Sequence, residues 1–326
     1  MGGVSVILLF VSVLLHELSH SLVAKIRKIK VDSITLFFFG GVASIDDEDM
    51  KASSEFLMSL AGPLFSLLLF GIFYLIYALN GNSFWTAITY YLYQINLILA
   101  LFNLVPGYPL DGGRAFRAIL YNYYKDIKKA TKVAVLGGRF FAIFLMLIGL
   151  INLFSGSGFG GGLWFVFLGG FLYFIAGVSY EQVVMKDALS QITVKDLLQK
   201  EYITINPSMR FSEFLRKYLD SEEDVFLVKG ASFTGILDLK NSSPVPAKMH
   251  KILAVKQLAI PLSDLGSLQC TDSAYAAYRK FSEHNIDLLP VMENSRLLGF
   301  VTRKKVMHRL IWSLKYGLSG KKKKIL

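Results

Sequence analysis

Two histidines and a glutamate stand close together in the sequence HELSH, residues 16–20. On a helix, His16 and His20 lie one turn apart on the same face, which is the spacing of paired zinc ligands. Glu17 lies three residues before His20 and flanks that face, where a carboxylate can take a proton from a water activated by a metal. The three residues therefore predict a zinc site with an adjacent general base.

A catalytic zinc site usually has three protein ligands and one open position, so a further ligand has to come from elsewhere in the chain. The other histidines all belong to the C-terminal half: His250, His284 and His308. Asp111, in NLVPGYPLDGGR at residues 103–114, is the better candidate. Its alternative role is that of an ordinary N-cap for a helix over residues 112–124.

The elements that must position these residues are membrane spans. The chain of 326 residues is 53% hydrophobic and 18% charged, whereas ordinary soluble proteins carry about 25% charged residues. This composition excludes an ordinary soluble protein. Stretches long enough to cross about 30 Å of hydrocarbon lie near residues 4–24, 56–79, 84–104, 133–154 and 162–180.

The charges between these spans predict their orientation. The loop after the first span contains Lys25, Arg27, Lys28 and Lys30, and a second basic loop follows the third span, whereas residues 80–83 and 155–162 carry no charge. By the positive-inside rule the basic loops are cytoplasmic, which predicts an N-out, C-in topology with a cytoplasmic C-terminal half. At 1.5 Å per residue, His16 and His20 lie about 12 Å and about 6 Å from the cytoplasmic end of the first span. Asp111 follows the third span at the same end, so all three candidate ligands share one slice of the bilayer.

Other interpretations of the first span are weaker. A carboxylate inside the membrane costs on the order of 3 kcal/mol, which disfavours His16, Glu17 and His20 as mere helix-packing residues. A signal peptide has no use for them and carries its basic residues before the apolar stretch. A metal transporter or metal sensor that binds zinc without hydrolysis is the main alternative, but the fourth and fifth spans contain no acidic residue or histidine.

The segment between the first two spans is strand-like. Residues 31–45, VDSITLFFFGGVASI, are too few to span the bilayer and are rich in β-branched and aromatic residues around Gly40 and Gly41. They predict a hairpin or strand pair dipping into the membrane face. Such a pair could accept an unwound segment of another protein at its edge.

Together, the H-E-x-x-H helix, the later N-x-x-P-x-x-P-L-D-G segment and the intervening Gly-Gly strand resemble the site-2 protease family of intramembrane metalloproteases. The resemblance covers residues 4 to 124 and implies His16, His20 and Asp111 as ligands of one zinc ion, Glu17 as general base and Asn103 as a substrate-binding residue, with Gly40 and Gly41 beside the substrate. It implies hydrolysis of peptide bonds in membrane-protein substrates, within a domain over residues 1–185. Members of this family often carry one more span before the H-E-x-x-H helix, so the resemblance leaves open a missing N-terminal span.

The C-terminal half contains a weak internal repeat with an offset of 61 to 64 residues, such as Val194–Leu197 echoed by Val255–Leu258. It resembles a tandem pair of cystathionine-beta-synthase (CBS) domains over residues 190–312, an α+β fold. The resemblance implies an adenine nucleotide near Thr302, but Lys305 stands where an acidic ribose partner is usual. Nucleotide sensing and a role in homodimerisation or substrate docking both stay open.

The positive charge of the chain is concentrated at its end. Residues 303–326 contain nine basic residues and no acidic one, including the basic tail at residues 313–326. Such a tail is attracted to an anionic membrane surface, and without a recognisable binding fold nucleic acid is not expected as a partner. The single cysteine, Cys270, excludes an internal disulfide and fits a reducing compartment. The predicted class is thus a polytopic α-helical membrane protein of the cell membrane with a short β hairpin and a soluble α+β domain.

Overall fold

The fold is described from a computed structural model covering residues 2–29, 31–37, 40–45, 50–79, 84–155, 159–218, 220–221, 223–231, 233–240, 244–293 and 296–316. For residues 31–45 the description is limited to the backbone. The chain divides into two compact units, Met1–Val184 and Met185–Leu326. The basic tail proposed at residues 313–326 lies outside the described residues from residue 317 onward.

The first unit is built from long helices and one strand pair. Its elements are α1 (Gly2–Ile26), β1 (Val31–Phe37), β2 (Gly40–Ile45), α2 (Ala52–Leu79), α3 (Phe84–Asn103), α4 (Asp111–Tyr124), α5 (Ile127–Phe154) and the greater part of α6 (Phe159–Ser190). Among the described residues, five helices are long and apolar enough to cross a membrane: α1, α2, α3, α5 and α6. Their outward surfaces carry exposed large apolar side chains such as Phe140 and Phe154. This is the surface expected where lipid is the solvent, and the predicted fold class is confirmed.

Two of these helices are longer than their apolar stretches. The helix α5 begins at Ile127, six residues before the predicted span, because Asp126 acts as its N-cap and accepts a hydrogen bond from the backbone N–H of Lys129 at 3.1 Å. The helix α6 continues to Ser190, beyond the predicted end at residue 180. Hydropathy marks the part of a helix that contacts lipid, whereas capping and propensity decide where the helix ends. The domain boundaries given above stay predictions.

The helix α2 is the centre of the first unit and contacts α1, α3 and α4. The segment that leads into α4, residues 104–110, packs against α5 instead. A Cβ on Gly138 would lie 1.9 Å from the carbonyl oxygen of Tyr108, and the Tyr108 N–H donates to the carbonyl of Ala134 at 3.0 Å. The start of α4 is therefore held between α2 on one side and α5 on the other.

A buried ion pair joins α4 to α2. The guanidinium of Arg117 donates from Nε to Glu55 Oε1 at 2.9 Å and from a terminal nitrogen to the same oxygen, and it lies over the Tyr108 ring at 5.0 Å. Both side chains are buried. Arg117 is one of the basic residues that follow the third predicted span. It lies on the inner face of α4, where it meets Glu55 instead of solvent.

The strands β1 and β2 pair in antiparallel fashion, with Phe37 opposite Gly40 and Val31 opposite Ile45. They form a two-stranded sheet, so each strand has a second edge that pairs with no described strand. The backbone thus has the hairpin form expected from the sequence.

The second unit consists of two similar halves. Its elements are α7 (Val194–Leu197), β3 (Thr204–Ile205), α8 (Phe211–Tyr218), β4 (Val225–Lys229), β5 (Thr234–Asp238), β6 (Ile260–Pro261), α9 (Ala274–His284), β7 (Leu288–Glu293), β8 (Arg296–Thr302) and α10 (Arg303–Tyr316). In each half an antiparallel strand pair, β4–β5 or β7–β8, follows a helix, α8 or α9.

The halves exchange backbone pairings with one another. The segment before the first half reaches the second at Gln199 and Phe300, while the segment before the second half reaches the first at Ile260 and Ile236. Gln199 and Ile260 occupy equivalent positions in the sequence repeat, and so do Ile236 and Phe300, each pair being separated by the offset of 61 to 64 residues. The exchange makes the two halves one pseudo-symmetric body with the predicted α+β composition.

The buried pair between Glu55 and Arg117 generates a stability prediction. Glu55→Gln or Arg117→Met should each lower the free energy of unfolding by about 3–5 kcal/mol, because either change leaves a buried polar group without its partner. The double variant Glu55→Leu with Arg117→Met should regain most of this loss, since a nonpolar pair is not penalised in the same way.

An SDS unfolding titration of the purified protein measures both effects, with Lys129→Gln at an exposed position as the control for charge removal. If the loss of unfolding free energy in the double variant equalled the sum of the losses in the two single variants, the two side chains would not act as a pair.

Candidate metal centre

The helix α1 places His16 and His20 on its buried face. Their exposed fractions are 2% and 7%, and their rings meet edge to face with centroids 5.0 Å apart. This is the one-turn spacing expected from the sequence. In a helix composed almost entirely of apolar residues, both imidazoles therefore point into the protein instead of into lipid.

Both histidines are oriented by α2 through their Nδ1 atoms. The Nδ1 of His16 lies 2.8 Å from the Ser66 hydroxyl, and the Nδ1 of His20 lies 2.7 Å from the carbonyl oxygen of Met58. A carbonyl only accepts, so the Nδ1 of His20 carries the proton and donates it to Met58. The Nε2 of the neutral ring then has a free lone pair, as in histidines that ligate metals.

The first residue of α4 completes the cluster. Asp111 Oδ2 lies 3.2 Å from His16 Nε2 and 3.1 Å from His20 Nε2. The N-cap of α4 is Leu110, and no side chain caps the helix. Asp111 is therefore not the N-cap of α4, which was its alternative role. Its carboxylate is directed to the histidines instead.

The ligand atoms of His16, His20 and Asp111 all lie within 4.8 Å of one another, which is close enough for one metal ion. Gly62 of α2 closes the space beside them. A Cβ on Gly62 would lie 2.2 Å from His20 Nε2 and 2.5 Å from His16 Nε2. The absent side chain is what allows the two rings to occupy this position.

Glu17 follows His16 on α1 and is half-buried. It is adjacent to the cluster in sequence without being one of its three converging side chains. This is the arrangement expected of a base that acts beside a metal.

The remaining residues singled out from the sequence are placed less directly. Asn103 is the last residue of α3 and is half-buried. Gly40 and Gly41 begin β2, for which only the backbone is described. Thr302 ends β8 in the second unit. The binding roles of these four residues stay predictions.

The helix α2 orients both histidines, and this contribution was not predicted from the sequence. Ser66, the carbonyl of Met58 and the missing side chain of Gly62 all act on the histidines, although none of the three resembles a metal ligand. A signal was present, because Gly62 and Ser66 lie four residues apart on one face of an otherwise apolar helix. Asn96 of α3 is bonded within the bundle and takes no part in the cluster, since it donates to Ser12 Oγ at 3.2 Å and to the Leu92 carbonyl.

Two known protein families match parts of the chain. The model of Peptidase family M50 matches residues 4–83 and 80–148, and the model of the CBS domain matches residues 255–311, the second half of the second unit.

Similar proteins carry names that point to the same chemistry. The chain is 30% identical over 320 residues to sll0528 of Synechocystis sp., which is named as a zinc metalloprotease; the match covers 94% of this chain and 82% of that protein. It is 29% identical over 309 residues to zinc metalloprotease MJ0392 of Methanocaldococcus jannaschii, covering 93% and 84%.

Among solved structures, the site-2 protease from Methanocaldococcus jannaschii matches with 35% sequence identity and a TM-score of 0.42. This match covers 53% of this chain and 75% of that one.

The close approach of Gly62 to both imidazoles generates a prediction. Gly62→Ala should strongly reduce bound zinc, because the added methyl group would overlap His16 Nε2 and His20 Nε2, the atoms that face Asp111. Zinc per chain, measured by inductively coupled plasma mass spectrometry on purified protein, tests this.

The matched control is Gly71→Ala on the same helix, where an added Cβ meets no described atom within 4 Å. If Gly62→Ala bound as much zinc as Gly71→Ala, the histidines would not hold the metal at their Nε2 atoms.

Proposed function

We propose, starting from the fact that this chain belongs to peptidase family M50, that His16, His20 and Asp111 hold one zinc ion and that Glu17 is the general base. The chain is an intramembrane zinc metalloprotease with a CBS-type region.

One observation carries the assignment of the metal ligands. Because His20 Nδ1 donates to the Met58 carbonyl, the Nε2 of the neutral ring is an acceptor, and it faces another acceptor, Asp111 Oδ2, at 3.1 Å. Two acceptors repel each other at that distance unless a proton or a metal cation lies between them. His16 Nε2 approaches the same oxygen at 3.2 Å, so one metal ion would serve both nitrogens. Two nitrogens and one carboxylate oxygen are a ligand set typical of catalytic zinc, and these three atoms lie within 4.8 Å of one another.

His16, His20 and Asp111 would hold the zinc ion, which would acidify an attacking water and polarise the scissile carbonyl. Glu17 would take the proton released from that water and return it to the leaving amine. Ser66 and the Met58 carbonyl fix the ring orientations, and outer partners of this kind typically change metal affinity by 10- to 100-fold. The mostly buried site excludes bulk water, which strengthens the interaction of each charged group with the reacting atoms.

The substrate is proposed to be a transmembrane segment of another protein. A helical substrate shields its amides by internal hydrogen bonds, so it must unwind locally before attack. The free edge of the β1–β2 hairpin, at Gly40 and Gly41, offers backbone groups that can pair with the unwound segment. Asn103, at the end of α3, is proposed to bind the substrate backbone near Asp111.

The site is proposed to open toward the cytoplasm. Support comes from the basic residues that follow α1 and precede the apolar part of α5, at the end of the bundle where Asp111 lies. The second unit would then be cytoplasmic as well.

The second unit is proposed to dock substrate or to form a homodimer, with nucleotide binding the less favoured role. Support comes from the Thr302 hydroxyl, which accepts from the Lys305 N–H at 3.2 Å and donates to Gln199 Oε1 at 3.4 Å. Tyr202 donates to the same Gln199 oxygen at 3.1 Å, and burial raises the pKa of Tyr202, which keeps its hydroxyl protonated. The hydroxyl expected to contact a nucleotide is thus already engaged within the chain.

Separating zinc binding from proton transfer tests the role of Glu17. Glu17→Gln should retain zinc but lower the cleavage rate by about 10²- to 10⁴-fold, because the amide cannot accept a proton. Cleavage of a purified transmembrane substrate and zinc content are measured on the same preparation, with the exposed Glu181→Gln as control. Unchanged cleavage in Glu17→Gln would exclude Glu17 as the base, and loss of zinc would show that it is a ligand instead.

Proline substitutions test edge pairing by the hairpin. Neighbouring residues of a strand direct their N–H groups to opposite edges, so of Val42→Pro and Ala43→Pro one removes a donor from the β1–β2 ladder and the other a donor from the free edge. Edge pairing predicts that both variants cleave poorly while keeping zinc. If only the variant that loses the ladder donor were inactive, the hairpin would be a structural cover and not a substrate-binding strand.

A further inference from the structure

A single charged residue interrupts the apolar part of α5. From Val133 to Phe154 every residue is uncharged except Arg139, and α6 has no charged residue from Phe159 to Tyr180. An arginine at this depth is costly, even on the scale that gives about 2.5–3.5 kcal/mol at the centre of a helix. Arginines inside spans therefore usually have partners or a function, and the cleavage reaction described above does not use Arg139.

The contacts of Arg139 account for only part of its charge. Its guanidinium lies over the ring of Tyr173 on α6, 4.9 Å from the ring centroid. A cation–π contact satisfies the face of the guanidinium, but not its N–H donors. The Nε of Arg139 is buried and, within the described part of the chain, has no hydrogen-bond partner. No described carboxylate pairs with this arginine either. The described part of the chain therefore supplies a ring for the face of the guanidinium but no acceptor for its Nε and no opposite charge.

The helix α6 leaves space for the guanidinium. A Cβ on Gly177, one turn after Tyr173, would lie 2.9 Å from a terminal nitrogen of Arg139, and nothing else lies within 4 Å of it. The guanidinium thus occupies a cleft between α5 and α6 that has an aromatic ring on one side and a glycine on the other.

The cleft is open to lipid and directed toward the headgroups. Tyr173 is 41% exposed, and the neighbouring outward surface is apolar, with Leu136, Phe140 and Phe174 all exposed. Side chains on a helix lean toward its N-terminus, which in α5 is the end that carries Lys128, Lys129 and Lys132. Lys132 is exposed two turns before Arg139 on the same face of α5. A ligand reaching Arg139 from this side passes along a lipid-facing surface with its charge at the basic end.

We propose that Arg139, Tyr173 and Gly177 form a binding site for the phosphate headgroup of an anionic phospholipid in the leaflet nearest the metal centre. The phosphate oxygens accept from the guanidinium, and the acyl chains lie along Phe140 and Phe174. Basic clefts between membrane helices are known to hold anionic headgroups in this way. Since α5 also packs against the segment that leads into Asp111, a lipid at this site would be bound to the helix that supports the third metal ligand.

Lipid selectivity measured on the full-length protein tests the site. The purified protein is mixed in detergent with equal amounts of phosphatidylglycerol and phosphatidylcholine of the same acyl chains, and the bound lipids are counted by native mass spectrometry. The wild type should retain phosphatidylglycerol preferentially. Arg139→Gln should reduce that preference roughly five- to tenfold, which corresponds to one lost charge contact near the membrane surface.

Two matched pairs of variants keep the test independent of folding. Gly177→Ala retains Arg139 but displaces its guanidinium, so it should also weaken the preference, whereas Gly170→Ala on the same helix meets nothing within 4 Å and should not. Lys129→Gln removes an exposed charge at the same end of α5 and should lower the preference clearly less than Arg139→Gln does.

Three outcomes would overturn the proposal. The first is equal retention of the two lipids by the wild type. The second is an undiminished preference in both Arg139→Gln and Gly177→Ala. The third is binding of inorganic phosphate to lipid-free protein, by calorimetry, with the same dependence on Arg139 and Gly177, which would make the site one for a soluble anion.

Discussion

The first unit depends on one electrostatic constraint: two imidazole nitrogens and a carboxylate oxygen meet where protein and lipid replace water. In water, acceptors this close would be screened and hydrated. In this setting the repulsion between the lone pairs of His20 Nε2 and Asp111 Oδ2, 3.1 Å apart, has to be relieved by positive charge, either a proton or a metal ion. The proposed zinc ion would supply that charge to all three side chains at once. The helices around the cluster hold together three side chains that would otherwise separate.

The helix α2 performs most of this positioning, although it supplies no ligand. It bonds His16 through Ser66 and His20 through the Met58 carbonyl, and Gly62 allows the rings to approach the helix. In its first turn, the same helix places Glu55 where it anchors α4 through Arg117. Because α4 begins with Asp111, this ion pair fixes Asp111 relative to the two histidines. One helix therefore sets the orientation of both histidines and the position of the aspartate.

Much of this could be predicted from the sequence, since the underlying rules are local or depend only on hydropathy. The spacing of His16 and His20 follows from the helical repeat, and the common depth of Asp111 follows from span length and loop charge. The outer partners could not be predicted, because a backbone carbonyl such as that of Met58 leaves no trace in the sequence and a glycine such as Gly62 has many uses. The burial of Arg117 could not be predicted for a related reason. A basic residue in a short segment between spans is usually exposed, and only the packing of α4 on α2 shows that Glu55 buries it.

Each polar residue of the apolar helices needs a bonding partner, and different residues obtain that partner in different ways. Asn96 is satisfied within the bundle by Ser12 and a backbone carbonyl, and Glu55 is satisfied by a charge on a neighbouring helix. For the histidines and Asp111, the proposed partner is a cation that comes from outside the chain. Arg139 belongs with this last group, because its ring contact leaves its donors unmatched within the described chain. A charged group retained at membrane depth without a partner in the chain indicates a partner outside it, and the sign of the charge decides its nature. Converging acceptors select a metal cation, and an unmatched guanidinium beside lipid selects an anionic headgroup.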